Sequence, residues 1–145
     1  MCGILAAYNY TNEVKFEFAL KKLLHRGPDG YQIKHENEVS LGHTRLSIID
    51  LSENGDQPMK SCCGRYTITF NGEIYNYIEI REILKKKGHV FVSKSDTEVI
   101  LNSFIEWGES CLNKFNGMWS FVIWDKQQKR FFISRDRYGK KPLYY

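Results

Sequence analysis

Cys2 stands directly after the initiator Met1, and this position could give it catalytic chemistry. A small side chain here allows removal of Met1, which would leave a thiol and a free α-amine on one residue. An α-amine has an unperturbed pKa of roughly 7.7–8.0, so it can accept a proton near neutral pH. A nucleophile activated by its own N-terminal amine is an established catalytic arrangement. The alternative interpretation of Cys2 is a small core residue in an apolar strand.

Asn71 and Gly72 form a dipeptide with two interpretations. In an oxyanion hole, the Asn side chain and a closely approaching Gly backbone each supply an N–H to a developing negative charge. In a turn, Asn-Gly after the alternating run 66–70 is a strong β-hairpin signal. Taken alone, the dipeptide favours the turn.

Arg45 and Asp96 could recognise the two charged groups of a free amino acid. Arg45 can bind a carboxylate through two N–H donors, and the alternative is a surface ion pair. Ser95 and Glu98 have the spacing of a capping box, which makes Asp96 the first residue of a helix. Its carboxylate could accept hydrogen bonds from a substrate ammonium, or it could only complement the helix dipole.

The composition limits the other functional classes. The 145 residues suffice for one domain with its own core, and the formal net charge is only +4. The lysine run 85–87 is interpreted as a solvated helix end, so no nucleic-acid partner is predicted. No apolar run reaches membrane-spanning length, and no signal peptide is recognisable. The lack of a secretion signal predicts reduced thiols and a cytoplasmic location, and the cysteines lack metal-ligand spacing, which predicts no metal site.

Apolar periodicity predicts the elements that must position these side chains. Strands are predicted over 2–10, 31–35, 39–49, 66–70, 118–124 and 130–135. Three helices are predicted, with ends near His25, Gly88 and Gly108. This order of strands, helices and strands is typical of an α+β layered fold. The chain stops within an apolar run at Tyr145, so we expect the natural protein to continue.

Six segments of the chain, in order, resemble class II glutamine amidotransferases, which belong to the N-terminal-nucleophile hydrolases. These segments are residues 1–4, 25–30, 42–50, 70–76, 95–98 and 135–145. Within them, three runs are similar to the asparagine synthetase branch in particular: 26–30, 45–50 and 71–76. Each segment alone is a weak signal, and the ordered combination is a strong one.

This resemblance implies a fold and a domain organisation. The implied fold is α+β, a four-layer αββα sandwich of antiparallel sheets that is incomplete at its C-terminal end. Residues 1–145 are then a type 2 glutaminase domain, and a synthetase domain is absent from this chain. ATP and Mg²⁺ are expected in that absent domain, so no cofactor and no metal are expected here. The expected partners are glutamine and the synthetase domain, and a homodimer is left open.

The resemblance also assigns roles to individual residues. Mature Cys2 would attack the glutamine carboxamide while its α-amine shuttles the proton, and Asn71 and Gly72 would hold the oxyanion. Arg45 would bind the glutamine α-carboxylate. The other predicted glutamine-binding residues, which surround the α-amino group or complete the pocket, are Leu46, Ser47, Ile48, Ile49, Glu73 and Asp96.

The implied function is hydrolysis of glutamine to glutamate and ammonia, as the glutaminase half of ATP-dependent asparagine synthesis from aspartate. One alternative is the same glutaminase supplying ammonia to another carboxylate, in a surface polysaccharide or a peptide. Another is a non-catalytic glutamine-binding module that retains Met1, because the α-amine is then an amide. A different N-terminal-nucleophile hydrolase, such as an acylase, is disfavoured, since Arg45 and Asp96 together suit a free amino acid.

Overall fold

The computed structural model describes residues 1–10 and 12–145, which form two antiparallel sheets and three α-helices. The strands are β1 Gly3–Tyr8, β2 Gly30–Glu36, β3 Val39–Arg45, β4 Met59–Lys60, β5 Tyr66–Ile74, β6 Gly117–Asp125 and β7 Arg130–Arg135. The helices are α1 Glu13–Lys21, α2 Tyr77–Lys86 and α3 Asp96–Trp107. Within the described residues, none of the helices is long and apolar enough to cross a membrane.

The first sheet has the order β1-β3-β2, with β3 in the centre. β3 is buried over almost its whole length, because α1 packs against it and β5 of the second sheet contacts it as well. Gly42 permits the close approach of α1, since a Cβ here would lie 2.9 Å from Leu20 and 3.1 Å from Phe16. Both of these α1 residues are buried, as their helical spacing predicts.

The second sheet has the order β4-β5-β6-β7, and α2 and α3 pack on one of its faces. β5 and β6 pair from Tyr66 opposite Asp125 to Ile74 opposite Gly117, which makes them the longest ladder of the described chain. The main apolar core lies between this sheet and the two helices and includes Ile68, Phe70, Ile74, Ile80, Leu84, Val99, Ile100, Leu101, Phe104, Trp119, Phe121 and Ile123.

A smaller apolar cluster joins the two sheets. It contains Val39 and Leu41 of β3 together with Val122 and Trp124 of β6. The layers are therefore α1, the first sheet, the second sheet, and α2 with α3. This arrangement confirms the predicted α+β class and the four-layer αββα sandwich of antiparallel sheets.

Three local predictions were wrong. β5 continues through Asn71 and Gly72, so this dipeptide is not a hairpin turn, because pairing with the distant strand β6 overrides the local turn signal. β3 ends at Arg45 rather than at 49, since the following residues leave the sheet to line a cavity. The first helix ends at Lys21, where bonds from residue i to i−3 tighten the backbone, and a separate 3-10 turn covers Leu24–Arg26.

Candidate functional site

A cavity of about 150 Å³ lies between the N-terminus, the segment after β3, the middle of β5 and the start of α3. All of the residues predicted to form a glutamine site line it, namely Cys2, Arg45, Leu46, Ser47, Ile48, Ile49, Asn71, Gly72, Glu73 and Asp96. The other lining residues, which were not predicted to bind glutamine, are Met1, His43, Asp50, Gly55, Gln57, Phe70, Ser95, Thr97, Met118 and Lys141. The fold thus gathers the scattered predicted residues around one space.

Cys2 is half-buried, lies just before β1 and lines the cavity. The backbone nitrogen of Leu46 donates to its Sγ across 3.4 Å. The Cys2 carbonyl oxygen accepts a hydrogen bond from Arg26 Nε at 3.2 Å. The N–H of Gly3 donates to Thr44 Oγ1 at 2.9 Å. These contacts fix the backbone beside the thiol, so the sulfur is held at a defined position on the cavity wall.

Asn71 and Gly72 lie where β5 runs along the cavity. Asn71 is almost fully buried. A Cβ at Gly72 would collide with the Met118 carbonyl oxygen and would lie 2.8 Å from the Trp119 Cα atom on β6. Glycine is therefore required here by the close pairing of β5 with β6, and not by a turn.

Asp96 is the first residue of α3, as the capping pattern predicted. The Ser95 hydroxyl accepts the N–H of Glu98 at 3.3 Å, and the Asp96 carboxylate accepts the N–H of Ile74 at 3.0 Å. Burial raises the pKa of Asp96 to about 6, and the negative charge of Glu73 acts in the same direction. The carboxylate is therefore mostly ionised only above this pH.

The second half of the predicted capping box was wrong. The Glu98 carboxylate accepts the N–H groups of Val92 at 2.9 Å and Ser93 at 2.7 Å instead of that of Ser95. The Ser95 N–H bonds to the Ser93 hydroxyl at 3.2 Å. Glu98 thus ties the loop before α3 to the helix, which stabilises the segment that presents Asp96.

Arg45 lines the cavity from the end of β3, and its guanidinium is also tied into the following loop. Nη1 forms an ion pair with Asp56, and Nη2 donates to the carbonyl oxygens of Asp50 and Ser52, the latter at 3.0 Å. The ion-pair interpretation of Arg45 is confirmed, and the side chain also lines the cavity, so its binding of a substrate carboxylate stays a prediction. These described contacts use three of its five N–H donors, which leaves donors for a ligand.

Gln57 links this loop to the opposite side of the cavity. Its Oε1 accepts the N–H of Phe70 at 2.6 Å, and its Nε2 donates to Thr97 Oγ1 at 3.1 Å. The Gln57 side chain is buried, so both of its polar groups depend on these partners. No local pattern in the sequence indicates Gln57, because its partners lie on β5 and α3, far along the chain.

His43 lies on β3 and borders the cavity, and it is only 2% exposed. Its Nε2 has no hydrogen-bond partner among residues 1–10 and 12–145. Burial lowers the pKa of His43 to about 4, and the positive charge of Arg45 acts in the same direction. The imidazole is therefore neutral at physiological pH.

The comparison with protein families agrees with this geometry. A family model described as a glutamine amidotransferase domain matches residues 1–145. The chain belongs to this glutamine amidotransferase domain family. The predicted membership of the glutamine amidotransferases is thereby confirmed, and the roles of individual residues stay predictions.

Curated relatives of this amidotransferase domain include longer proteins. The chain is 43% identical over 152 residues to asparagine synthetase [glutamine-hydrolyzing] 1 of Bacillus subtilis (strain 168). It is 38% identical over 161 residues to amidase chry2 of Gibberella zeae. Each match covers 100% of this chain and 24% of the relative, so the chain spans about a quarter of their length. The first match confirms the predicted similarity to the asparagine synthetase branch.

The fold of the amidotransferase domain is also found in a solved structure. The glutamine phosphoribosylpyrophosphate amidotransferase of B. subtilis, complexed with ADP and GMP, superposes with a TM-score of 0.80 at 17% sequence identity. The match covers 96% of this chain and 38% of that chain. At this identity the likeness concerns the fold, and it confirms the predicted N-terminal-nucleophile hydrolase architecture.

Proposed function

We propose that this domain hydrolyses glutamine to glutamate and ammonia, with mature Cys2 as the nucleophile. One observation carries the proposal: the Cys2 thiol, the Asn71-Gly72 segment, Arg45 and Asp96 line a single cavity. A cationic and an anionic side chain in one small cavity complement the carboxylate and ammonium of a free amino acid. The thiol, which lines the same cavity, is then available to the amino acid's side-chain carboxamide.

The reaction follows from Cys2 and the Asn71-Gly72 segment, which line the same cavity. After Met1 is removed, the free amine of Cys2 takes the thiol proton, and the sulfur bonds to the carboxamide carbon. Asn71 and Gly72 stabilise the negative oxygen of the tetrahedral intermediate through N–H donors. The protonated amine gives its proton to the leaving nitrogen, so ammonia departs and a glutamyl thioester remains. Water then hydrolyses the thioester, releasing glutamate and restoring the thiol.

Substrate recognition depends on the charged residues that line the cavity. Arg45 binds the α-carboxylate with N–H donors that its contacts to Asp56 and the loop leave unused. Asp96 and Glu73 accept hydrogen bonds from the α-ammonium. The backbone of residues 46–49 completes the pocket around the aliphatic part of the substrate. Ionised Asp96 binds the ammonium best, so glutamine binding should improve as pH rises through about 6.

We propose that the ammonia is used by a synthetase domain of the natural protein to make asparagine from aspartate, with ATP and Mg²⁺ bound in that domain. The 43% identity to a protein named a glutamine-hydrolysing asparagine synthetase supports this assignment. A second candidate is the same glutaminase serving amidation of another carboxylate, because a relative that is 38% identical, amidase chry2, is not named an asparagine synthetase. A cytoplasmic location, which keeps the Cys2 thiol reduced, remains part of the proposal.

The test begins with mass spectrometry to establish that Met1 has been removed. Release of glutamate and ammonia from glutamine is then measured, and the protein is treated with an electrophilic diazo-ketone analogue of glutamine. We expect turnover and a single adduct on Cys2, and Cys2→Ala should abolish both. Cys63→Ala is the matched control, since Cys63 is exposed and lies outside the cavity. A processed, folded protein with neither turnover nor adduct would overturn the proposal.

A further inference from the structure

Lys141 is a buried lysine at the nucleophile end of the cavity. It follows β7, is only 4% exposed and lines the cavity together with Cys2. Its Nζ lies 3.1 Å from the Sδ atom of Met1. Met1 thus covers the ammonium in the unprocessed chain, and removal of Met1 uncovers it beside the Cys2 residue that becomes the new N-terminus.

A buried ammonium without a close carboxylate is unusual, because lysine is almost never fully buried unless it is paired. No carboxylate of the described residues lies within 4.0 Å of Lys141 Nζ. Burial lowers the pKa of Lys141, and the charge of Arg26 adds to this, whereas Cys2, Glu73 and Asp136 oppose it. Cys2 is thus one of the few groups whose negative charge would favour the ammonium.

The backbone of Lys141 is held rigidly by the turn that follows β7. The buried Asp136 carboxylate accepts the N–H groups of Lys141 and Lys140, both at 2.9 Å, and of Tyr138 at 3.1 Å. Arg135 Nε donates to the Lys141 carbonyl oxygen at 2.7 Å. These bonds fix the turn on the end of β7, so the side chain is presented to the cavity at a defined position.

Backbone bonds also keep the Asp136 carboxylate ionised. Burial would raise the pKa of Asp136, but the N–H groups of residues 141, 140, 119 and 138 outweigh it and lower the pKa. The turn is therefore built around a stable negative charge at neutral pH. That charge favours the ammonium of Lys141 without pairing with it directly.

We propose that Lys141 is a positioning residue of the glutaminase site, whose ammonium stabilises the Cys2 sulfur as a thiolate once Met1 has left. This inference rests on the proposed function. In the acylation step the S–H bond breaks, an N–H bond forms on the α-amine, and the sulfur carries the negative charge until it bonds to carbon. A nearby fixed positive charge lowers the free energy of that state. The same charge disfavours premature protonation of the α-amine, so the amine stays available as a base.

The experiment measures the rate of Cys2 alkylation by iodoacetamide at a series of pH values, using chains from which Met1 has been removed. Peptide mass spectrometry separates Cys2 from the other cysteines. Lys141→Met should slow alkylation at neutral pH by roughly 10- to 100-fold, the effect expected for loss of a close opposite charge, and should move the rate profile to higher pH. Lys141→Arg should keep most of the rate. Lys140→Met is the matched control, because Lys140 is exposed and should leave the rate unchanged.

A second pair of variants covers the case in which Lys141→Met does not fold. Lys141→Arg and Lys141→Gln are both polar and differ in charge, and circular dichroism checks the folding of each. Equal alkylation rates in the charged and neutral variants would overturn the role of Lys141. If the neutral variants Lys141→Met and Lys141→Gln hydrolyse glutamine, their kcat should be lower than that of the wild type, with KM unchanged. A wild-type chain without glutaminase activity overturns the proposed function instead, and the two outcomes are separable because alkylation needs no glutamine.

Discussion

The cavity has two walls that are stabilised by different kinds of interaction. The strand wall consists of residues 70–73 of β5 and 95–97 at the start of α3, and backbone pairing with β6 holds its β5 part along the whole ladder. The loop wall consists of residues 45–57. Side chains such as Arg45 and Gln57 hold it through a few separate hydrogen bonds. The backbone hydrogen bonds of a strand ladder together resist displacement of the strand, whereas a single substitution can remove one side-chain hydrogen bond.

This difference separates the two tasks of the proposed enzyme. The proposed oxyanion donors lie on the strand wall, where a small displacement would weaken transition-state stabilisation. The proposed carboxylate ligand lies on the loop wall, where Arg45 already depends on Asp56 and on the loop carbonyls. We therefore expect changes on the strand wall to lower kcat and changes on the loop wall to raise KM.

The largest effect is expected from Asn71→Ala on the strand wall. Loss of one oxyanion donor typically lowers kcat by roughly 10²–10³-fold, and KM for glutamine should change little. Steady-state glutaminase assays measure both constants. Asn113→Ala is a control, since Asn113 is exposed and lies outside the cavity. A change confined to KM would remove Asn71 from the proposed oxyanion hole.

The second prediction concerns how the free energy of unfolding varies with pH, because each wall borders one buried titratable group. Asp96 has an ordinary pKa of 3.8 and a folded-state pKa of about 6, so the unfolded chain loses its proton first and stability falls as pH rises between these values. His43 has an ordinary pKa of 6.5 and a folded-state pKa of about 4, so stability falls as pH decreases between them. The two effects oppose each other over much of the same range.

Two variants remove these effects one at a time. Relative to wild type, Asp96→Asn should gain up to about 3 kcal/mol in the free energy of unfolding as pH rises from about 4 to about 6. His43→Gln should gain a similar amount, about 3 kcal/mol, as pH falls from about 6.5 to about 4. Urea denaturation at several pH values measures the differences. Differences that do not vary with pH would contradict the assigned titrations.

Arg45→Ala on the loop wall is the third prediction. Loss of a charge-assisted contact to the substrate carboxylate should raise KM for glutamine by roughly 10- to 100-fold with a smaller change in kcat. Arg65→Ala is the matched control, because Arg65 also pairs with an aspartate, Asp125, at 2.6 Å, but does not line the cavity. An Arg45→Ala protein with unchanged KM would show that Arg45 only holds the loop, through Asp56 and the carbonyl oxygens of Asp50 and Ser52.

The smallest effect is expected from Ser95→Ala, which removes the N-cap of α3. Loss of a capping hydroxyl typically lowers stability by about 1 kcal/mol. The urea midpoint should fall accordingly, while KM for glutamine rises only slightly because Ile74 still holds Asp96. Ser110→Ala serves as the comparison, since its hydroxyl is exposed and donates to the nearby Trp107 carbonyl oxygen at 2.6 Å. Equal midpoints for the two variants would mean that the cap is unimportant.

The sequence predicted some of the residues around the cavity and missed others. Apolar periodicity indicated the core strands and helices, and the capping pattern placed Asp96 at a helix start. The Asn71-Gly72 prediction from local signals was wrong, because a distant strand decides the backbone there. Gln57 and Lys141 were missed for a related reason: their importance comes from burial and from partners remote in sequence. Local patterns carry no information about such contacts.

The close approach of β6 to Gly72 means that a side-chain substitution cannot isolate the role of the Gly72 N–H group. Any side chain there would press on the Met118 carbonyl oxygen and separate β5 from β6. An inactive Gly72→Ala protein would therefore be a folding defect as much as a catalytic one. Replacing the Gly72 amide by an ester in a semisynthetic chain removes the N–H donor and adds no bulk. At this position, backbone chemistry can be altered separately from sheet assembly.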